Sequence, residues 1–132
     1  MYSDGASRGN PGPAAIAVKI VSEKGVVLKR LAKFLGRRTN NEAEYEAVIL
    51  ALEIARSFTE GNLHCFLDSE LVVKQLKGEY QIKSPRLEPL WLKVRKLQRS
   101  FRGVSFSHIS RSNKDIEEVD QSANHVLDRR IR

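Results

Sequence analysis

Four acidic residues of this chain, Asp4, Glu44, Asp68 and Asp120, stand where the local pattern sets them among apolar neighbours or at the end of an apparent strand. Burying one unpaired carboxylate is costly, and several in one pocket raise one another's pKa unless divalent cations supply the compensating charge. If the fold brings them together, the quartet is a hard-cation site.

Each acid has its own argument. Asp4 ends an apparent strand just before Gly5, and Asp68 closes Leu63 to Leu67 just before Ser69 and a helix. Both therefore sit at carboxyl ends of strands, where open α/β sheets place their ligands, and the two project at one edge if their strands are parallel neighbours. The plainer readings are a turn aspartate for Asp4 and a helix N-cap for Asp68. Glu44 is more discriminating. It heads a stripe with Val48, Ala51 and Ala55 on one helical face, and no Lys or Arg stands one turn away to neutralise it. Asp120 repeats the pattern with Ile116, Ala123 and Leu127, whereas Glu117, Glu118 and Asp128 are expected to face solvent or support helix ends.

The elements that must position these acids follow from turn and cap signals. The stretch Gly5 to Pro13, with its glycines and prolines, predicts a loop. Ala14 to Val21 and Val26 to Leu35 flank Ser22-Glu23-Lys24-Gly25 and predict a hairpin. Thr39-Asn40-Asn41-Glu42 has the form of a capping box, which predicts a helix running to about Ser57. A strand over Leu63 to Leu67 and a helix over Ser69 to Lys77, stopped by Gly78, come next. A helix from about Pro89 to Ser100, a strand from Val104 to Ile109 and a helix from about Asp115 to Arg129 complete the order βββαβααβα. An opening hairpin followed by strands joined through helices implies an α/β protein with a mixed sheet.

Composition narrows the chemistry. With 132 residues, 41% of them hydrophobic, the chain is expected to form one domain over residues 1–132. No apolar run is long enough for a membrane span, and the start Met1-Tyr2-Ser3-Asp4 lacks the form of a signal peptide, so a cytoplasmic protein is expected. The single cysteine, Cys65, lies in apolar surroundings and reads as a core side chain. His64, His108 and His125 have no zinc-site spacing, and no phosphate-loop or nucleophile-elbow motif occurs. Oxygen ligands remain, and they favour magnesium or manganese. A formal charge of +7 makes nucleic acid the first candidate partner. Lys93, Arg95, Lys96, Arg99 and Arg102 form an acid-free run that reads equally as a solvated helix face or a phosphate-contacting one.

Four segments carry a family resemblance: SDGASRGNPGP from Ser3, TNNEAEYEAVILALE from Thr39, LDSELVVKQLKGEY from Leu67, and HISRSN with VDQSAN between His108 and Asn124. In order and spacing they resemble type 1 ribonuclease H over nearly the whole chain. The resemblance implies a ribonuclease H-like fold, a five-stranded mixed sheet with its first three strands antiparallel, flanked by helices. It implies an endonuclease that cuts the RNA strand of RNA/DNA hybrids and leaves 5′-phosphate and 3′-hydroxyl ends, and a monomer is expected. Carried over by motif, the catalytic and metal-holding acids are Asp4, Glu44, Asp68 and Asp120. In such enzymes two Mg²⁺ ions, replaceable by Mn²⁺, flank the scissile phosphate. Asn10, Asn40 and Asn41 are implied to read ribose hydroxyls and base edges, and Thr39 to contact a DNA phosphate.

The chain departs from the family pattern in places. Only three residues precede Asp4, which predicts a short first strand. Where some bacterial members carry a catalytic-loop histidine, this chain has Arg111 and Ser112, making Arg111 a candidate phosphate or product contact. The segment from Arg111 to Asp120 is slightly longer than the family pattern. The fourth acid's register is therefore open among Asp120, Glu117, Glu118 and Asn124, with Asp120 preferred for its helical face. The basic insertion of some members after Gly78 is missing, and the Lys93 to Arg102 run is its candidate substitute. Two other functions compete: a catalytically silent binding module of the same fold, and a superfamily nuclease acting on DNA.

Overall fold

Alternating side chains on the longest strands decide how the layers assemble. In the computed structural model, which describes residues 1–130, strand β1 spans Tyr2–Ser7, β2 Gly12–Val21 and β3 Val27–Arg38. Along β2, Ile16, Val18 and Ile20 face one side of the sheet and Ala15, Ala17 and Lys19 the other. The bulky side takes helix α1 (Asn40–Ala55) together with α2 (Glu70–Leu76) and α3 (Glu88–Gln98). The small side takes α4 (Lys114–Arg130), which packs Ile116, Val119, Ala123 and Leu127 onto Ala15 and Ala17. Strands β4 (Asn62–Leu67) and β5 (Gly103–His108) complete a sheet of order β3-β2-β1-β4-β5. Pairing is antiparallel among the first three strands and parallel from β1 through β4 to β5. The expected α/β architecture and element order are both present. Of the expected domain, residues 131 and 132 lie outside the described residues.

The first strand differs from expectation. It continues past Asp4 to Ser7, because Gly5, Ala6 and Ser7 pair with Ile16, Ala15 and Ala14. The expected loop shrinks to the residues between Ser7 and Gly12, and Asp4 lies within β1 rather than at its end. Glycine is required at position 5 for packing. A Cβ there would stand 2.3 Å from the carbonyl carbon of Ala43, so only a bare backbone lets α1 approach this closely.

Caps set the helix starts. Thr39 accepts a hydrogen bond from the Glu42 amide, Glu42 accepts one from the Thr39 amide, and the capping box forms as expected. Ser69, not Asp68, caps α2, its hydroxyl accepting from the Val72 amide. Gly78 follows α2 at φ 81°, a left-handed conformation that glycine adopts without steric cost. Cys65 is buried in the main core, as its neighbours indicated. Across the α4 face, Lys19 lies 2.8 Å from Asp115 and 3.2 Å from Glu118, and Arg30 lies 3.1 Å from Glu118. These pairs fasten the start of α4 to β2 and β3. Among the described residues, no helix is long and apolar enough to cross a membrane.

Candidate metal centre and nucleic-acid interface

Parallel pairing of β1 with β4 sets Tyr2 opposite Phe66, so Asp4 and Asp68 each follow their paired residue by two positions. Helix α1 enters over Gly5 and delivers Glu44 to the same point. Ligand oxygens of Asp4, Glu44 and Asp68 all lie within 4.8 Å of one another. Asp4 and Glu44 are buried, with exposures of 3% and 6%. One Glu44 oxygen accepts a hydrogen bond from the Gly5 amide at 2.8 Å, while the other, Oε2, is buried without a partner. Asp68 accepts from Arg111 Nε at 2.9 Å.

The electrostatics follow from this crowding. Burial pushes the Asp4 carboxyl far above its usual range, and hydrogen bonding to Glu44 with the charges of Glu44 and Asp68 pushes it further. Burial also raises Glu44, opposed by the hydrogen bonds it receives from Asp4 and the Gly5 amide. Burial and crowding thus favour a proton on the Asp4–Glu44 pair. Replacing that proton with divalent cations would neutralise the cluster and give Glu44 Oε2 a partner. Hard carboxylate oxygens in this arrangement fit magnesium or manganese, and the residues present fit the expected ions.

Asp120 lies outside the close trio. It stands half-buried on α4 near enough to Asp4 to help raise its pKa, and Asn124 donates a hydrogen bond to it at 3.2 Å. Val119, not Asp120, completes the apolar stripe with Ile116, Ala123 and Leu127, which leaves Asp120 at the stripe's edge facing the cluster. Among the alternative registers, Glu118 is engaged by Lys19 and Arg30, Glu117 is exposed beside Gln121, and Asn124 serves Asp120. Of those four residues, the geometry sets Asp120 beside Asp4.

The expected substrate residues gather beside the centre. Asn40 Oδ1 accepts from the Ser7 amide and the Asn40 amide donates to Asn10 Oδ1, both at 3.1 Å, tying the turn after β1 to the start of α1. Neither asparagine's side-chain nitrogen has an intramolecular partner among the described residues, and both residues are exposed. Asn41, half-buried, follows them on the first turn of α1. Thr39 uses its oxygen as a cap acceptor, which leaves its hydroxyl proton free to donate.

A concavity of about 350 Å³ next to Thr39 is lined by Pro11, Arg37, Arg38, Glu42 and Arg86. Sequence reasoning missed these arginines. The Arg-Arg pair directly before the capping box was the available signal. In the basic run, Arg95 turns inward, donating to the Leu76 carbonyl and stacking on Trp91, while Lys93, Lys96, Arg99 and Arg102 are exposed.

A mixed sheet thus gathers hard carboxylates beside a basic, asparagine-lined surface, which defines an α/β protein with a candidate metal centre. Comparison with known proteins agrees. A family model described as reverse transcriptase-like matches residues 2–126. Ribonuclease HI of Halobacterium salinarum is 42% identical over 96% of this chain, which spans 63% of that protein's length. A Desulforamulus reducens ribonuclease H is 31% identical, with 93% of this chain and 83% of that protein covered. The crystal structure of the halobacterial enzyme superposes with a TM-score of 0.92 at 41% identity, covering 97% of this chain and 96% of that one. LC11-RNase H1 in complex with RNA/DNA hybrid matches with a TM-score of 0.91 at 35% identity, covering 99% of this chain and 97% of that one. The chain belongs to the ribonuclease H family.

Proposed function

We propose that this chain is an endonuclease that hydrolyses the RNA strand of RNA/DNA hybrids by two-metal-ion catalysis, leaving 5′-phosphate and 3′-hydroxyl ends. The observation that carries the reading is the convergence of Asp4, Glu44 and Asp68, together with one Glu44 oxygen that is buried and unpartnered. Its setting beside the exposed Asn10 and Asn40 supports a nucleic-acid substrate, as does a related structure that holds RNA/DNA hybrid.

In this reading residues 1–132 form one catalytic domain, acting as a cytoplasmic monomer. Asp4, Glu44, Asp68 and Asp120 hold two Mg²⁺ ions, with Mn²⁺ able to replace them. Bound there, the ions would supply an activated water and charge stabilisation for the leaving 3′ oxygen. The protein's own groups do the rest. Asn10, Asn40 and Asn41 offer amide donors and acceptors that distinguish a ribose 2′-hydroxyl from deoxyribose. Thr39 donates its free proton to a phosphate of the DNA strand, with the Arg37 and Arg86 guanidiniums beside it. The rigid capping box under Thr39 fixes that contact relative to Glu44, five residues further along the same helix.

The test is cleavage of end-labelled hybrid, single-stranded RNA and duplex DNA of one sequence, with Mg²⁺ or with chelator. Selective, Mg²⁺-dependent cutting of the RNA in the hybrid is expected. Equal cutting of all three would refute the substrate assignment, and hybrid binding without turnover would instead identify a silent binding module.

A further inference from the structure

Arg111 is the one cation in direct contact with the carboxylate cluster, among the described residues. It lies between β5 and α4, in a turn held by the Ser110 and Ser112 hydroxyls 2.9 Å apart and by the Asn113 amide donating to the Ser110 carbonyl. The turn fixes the backbone and leaves the side chain free. Its guanidinium reaches Asp68 through Nε alone, and the two terminal nitrogens have no intramolecular partner among the described residues. Arg111 is 83% exposed at its side chain, whereas Asp68 is 5% exposed. The acid is thus fixed and buried, while the guanidinium stands in solvent. A single Nε contact forgoes the bidentate geometry in which guanidinium binds carboxylate most strongly. An exposed partner of this kind is given up at little cost.

We infer that Arg111 is an exchangeable counter-ion: it neutralises Asp68 in competition with divalent cations and, on metal loading, turns to hold a substrate phosphate. The inference rests on the nuclease reading above and deepens it by giving one side chain two successive partners. Charge balance drives the exchange. With several acids close together, one guanidinium compensates only part of the negative charge, whereas metal ions compensate more and leave Arg111 with no carboxylate to serve. Its free terminal nitrogens then present the planar fork that matches a phosphate. Competition and phosphate binding thus predict opposite effects of removing Arg111. Metal should bind more tightly and hybrid less tightly, a combination that no merely structural role would produce.

Mn²⁺ affinity of the full chain is measured by calorimetry for the wild type, Arg111→Met and Arg111→Lys, alongside hybrid binding across a salt series in Ca²⁺. An ion pair of this exposure costs a competing cation about fivefold in Kd, so Arg111→Met is expected to tighten Mn²⁺ binding by about that factor. The same variant should flatten the salt dependence of hybrid binding by about one unit of log slope, because one fewer phosphate is neutralised. Arg111→Lys should fall between on both readouts. Unchanged or weaker Mn²⁺ binding by Arg111→Met, with the wild type still binding, would overturn the inference and leave the metal centre standing. Absence of Mn²⁺ binding by the wild type would overturn both.

Discussion

Replacing Asp4 by Asn should stabilise the protein in chelator while abolishing its activity. In the unfolded chain the carboxyl has its ordinary pKa of 3.8 and is ionised at pH 7. In the folded chain burial and the neighbouring acids raise the pKa far above neutrality, so folding at pH 7 requires taking up a proton. A raised folded pKa means that stability is full below pH 3.8 and falls as pH rises towards the folded value. The protonation cost is 1.36 kcal/mol for each unit between 3.8 and 7, about 4 kcal/mol in all. Asparagine is close in size, already neutral and able to donate towards Glu44, so it avoids most of this cost. Allowing for imperfect fit, the expected gain is about 2–4 kcal/mol, or about 6–20 °C in Tm for a chain of this length. Urea and thermal unfolding in EDTA at pH 7 measure it. The gain should vanish near pH 3.5, below the ordinary pKa of the acid, and shrink in saturating Mg²⁺, where cations compensate the wild-type cluster. Equal or lower stability of the variant in EDTA at pH 7, or a gain that persists at low pH, would refute the reasoning.

Three further outcomes are expected. Asp68→Asn should lower Mg²⁺-dependent hybrid cleavage by more than about 100-fold, beyond the usual loss for an outer-shell partner, with the unfolding midpoint preserved; near-normal turnover would remove Asp68 from the metal set. Thr39→Ala should cost about 1 kcal/mol through loss of the cap and also weaken hybrid binding, whereas Thr39→Ser should restore both, as read by urea unfolding and fluorescence anisotropy. Asp115→Asn should destabilise at neutral pH by leaving the nearly buried Lys19 with a weaker partner set. Lys19 holds the Asp115 carboxyl below its ordinary 3.8, so that contribution exists above pH 3.8 and is lost as the acid protonates below it. Unfolding curves of wild type and variant should therefore converge at low pH.

The sequence carries more of the fold than of the site's exact geometry. Strong local signals, the Thr39 capping box and the glycine at 78, set boundaries that hold in three dimensions. Glu44 is legible because helical periodicity leaves a charge on an apolar face without a partner nearby, and its burial follows from that. Asp4 is legible as a member of the acidic cluster but not as a residue within a strand. The cross-strand pairs of Gly5 to Ser7 with Ala14 to Ile16 override the loop preference of a glycine-rich stretch, and pairing of this kind is not written in local composition. Asp68 is open in sequence to a capping role that Ser69 takes instead. The edge position of Asp120 depends on how α4 rotates over Ala15 and Ala17, a tertiary choice that periodicity alone leaves ambiguous between residues 119 and 120. Arg37 and Arg86 meet only through folding, so their shared concavity has no linear signature beyond the Arg-Arg pair.

Gly5 also bears on whether such a centre could be transplanted. Its amide is a fixed donor to Glu44, and its missing side chain sets how close helix and strand can come. A designer who copied the four acids onto another α/β scaffold would reproduce the ligands but not the separation between the backbones that carry them. Any side chain at the corresponding strand position would hold the helix away and leave its glutamate short of the other acids. The smallest portable unit is therefore a bare stretch of strand with a helix resting on it, and the acids are fittings on that joint.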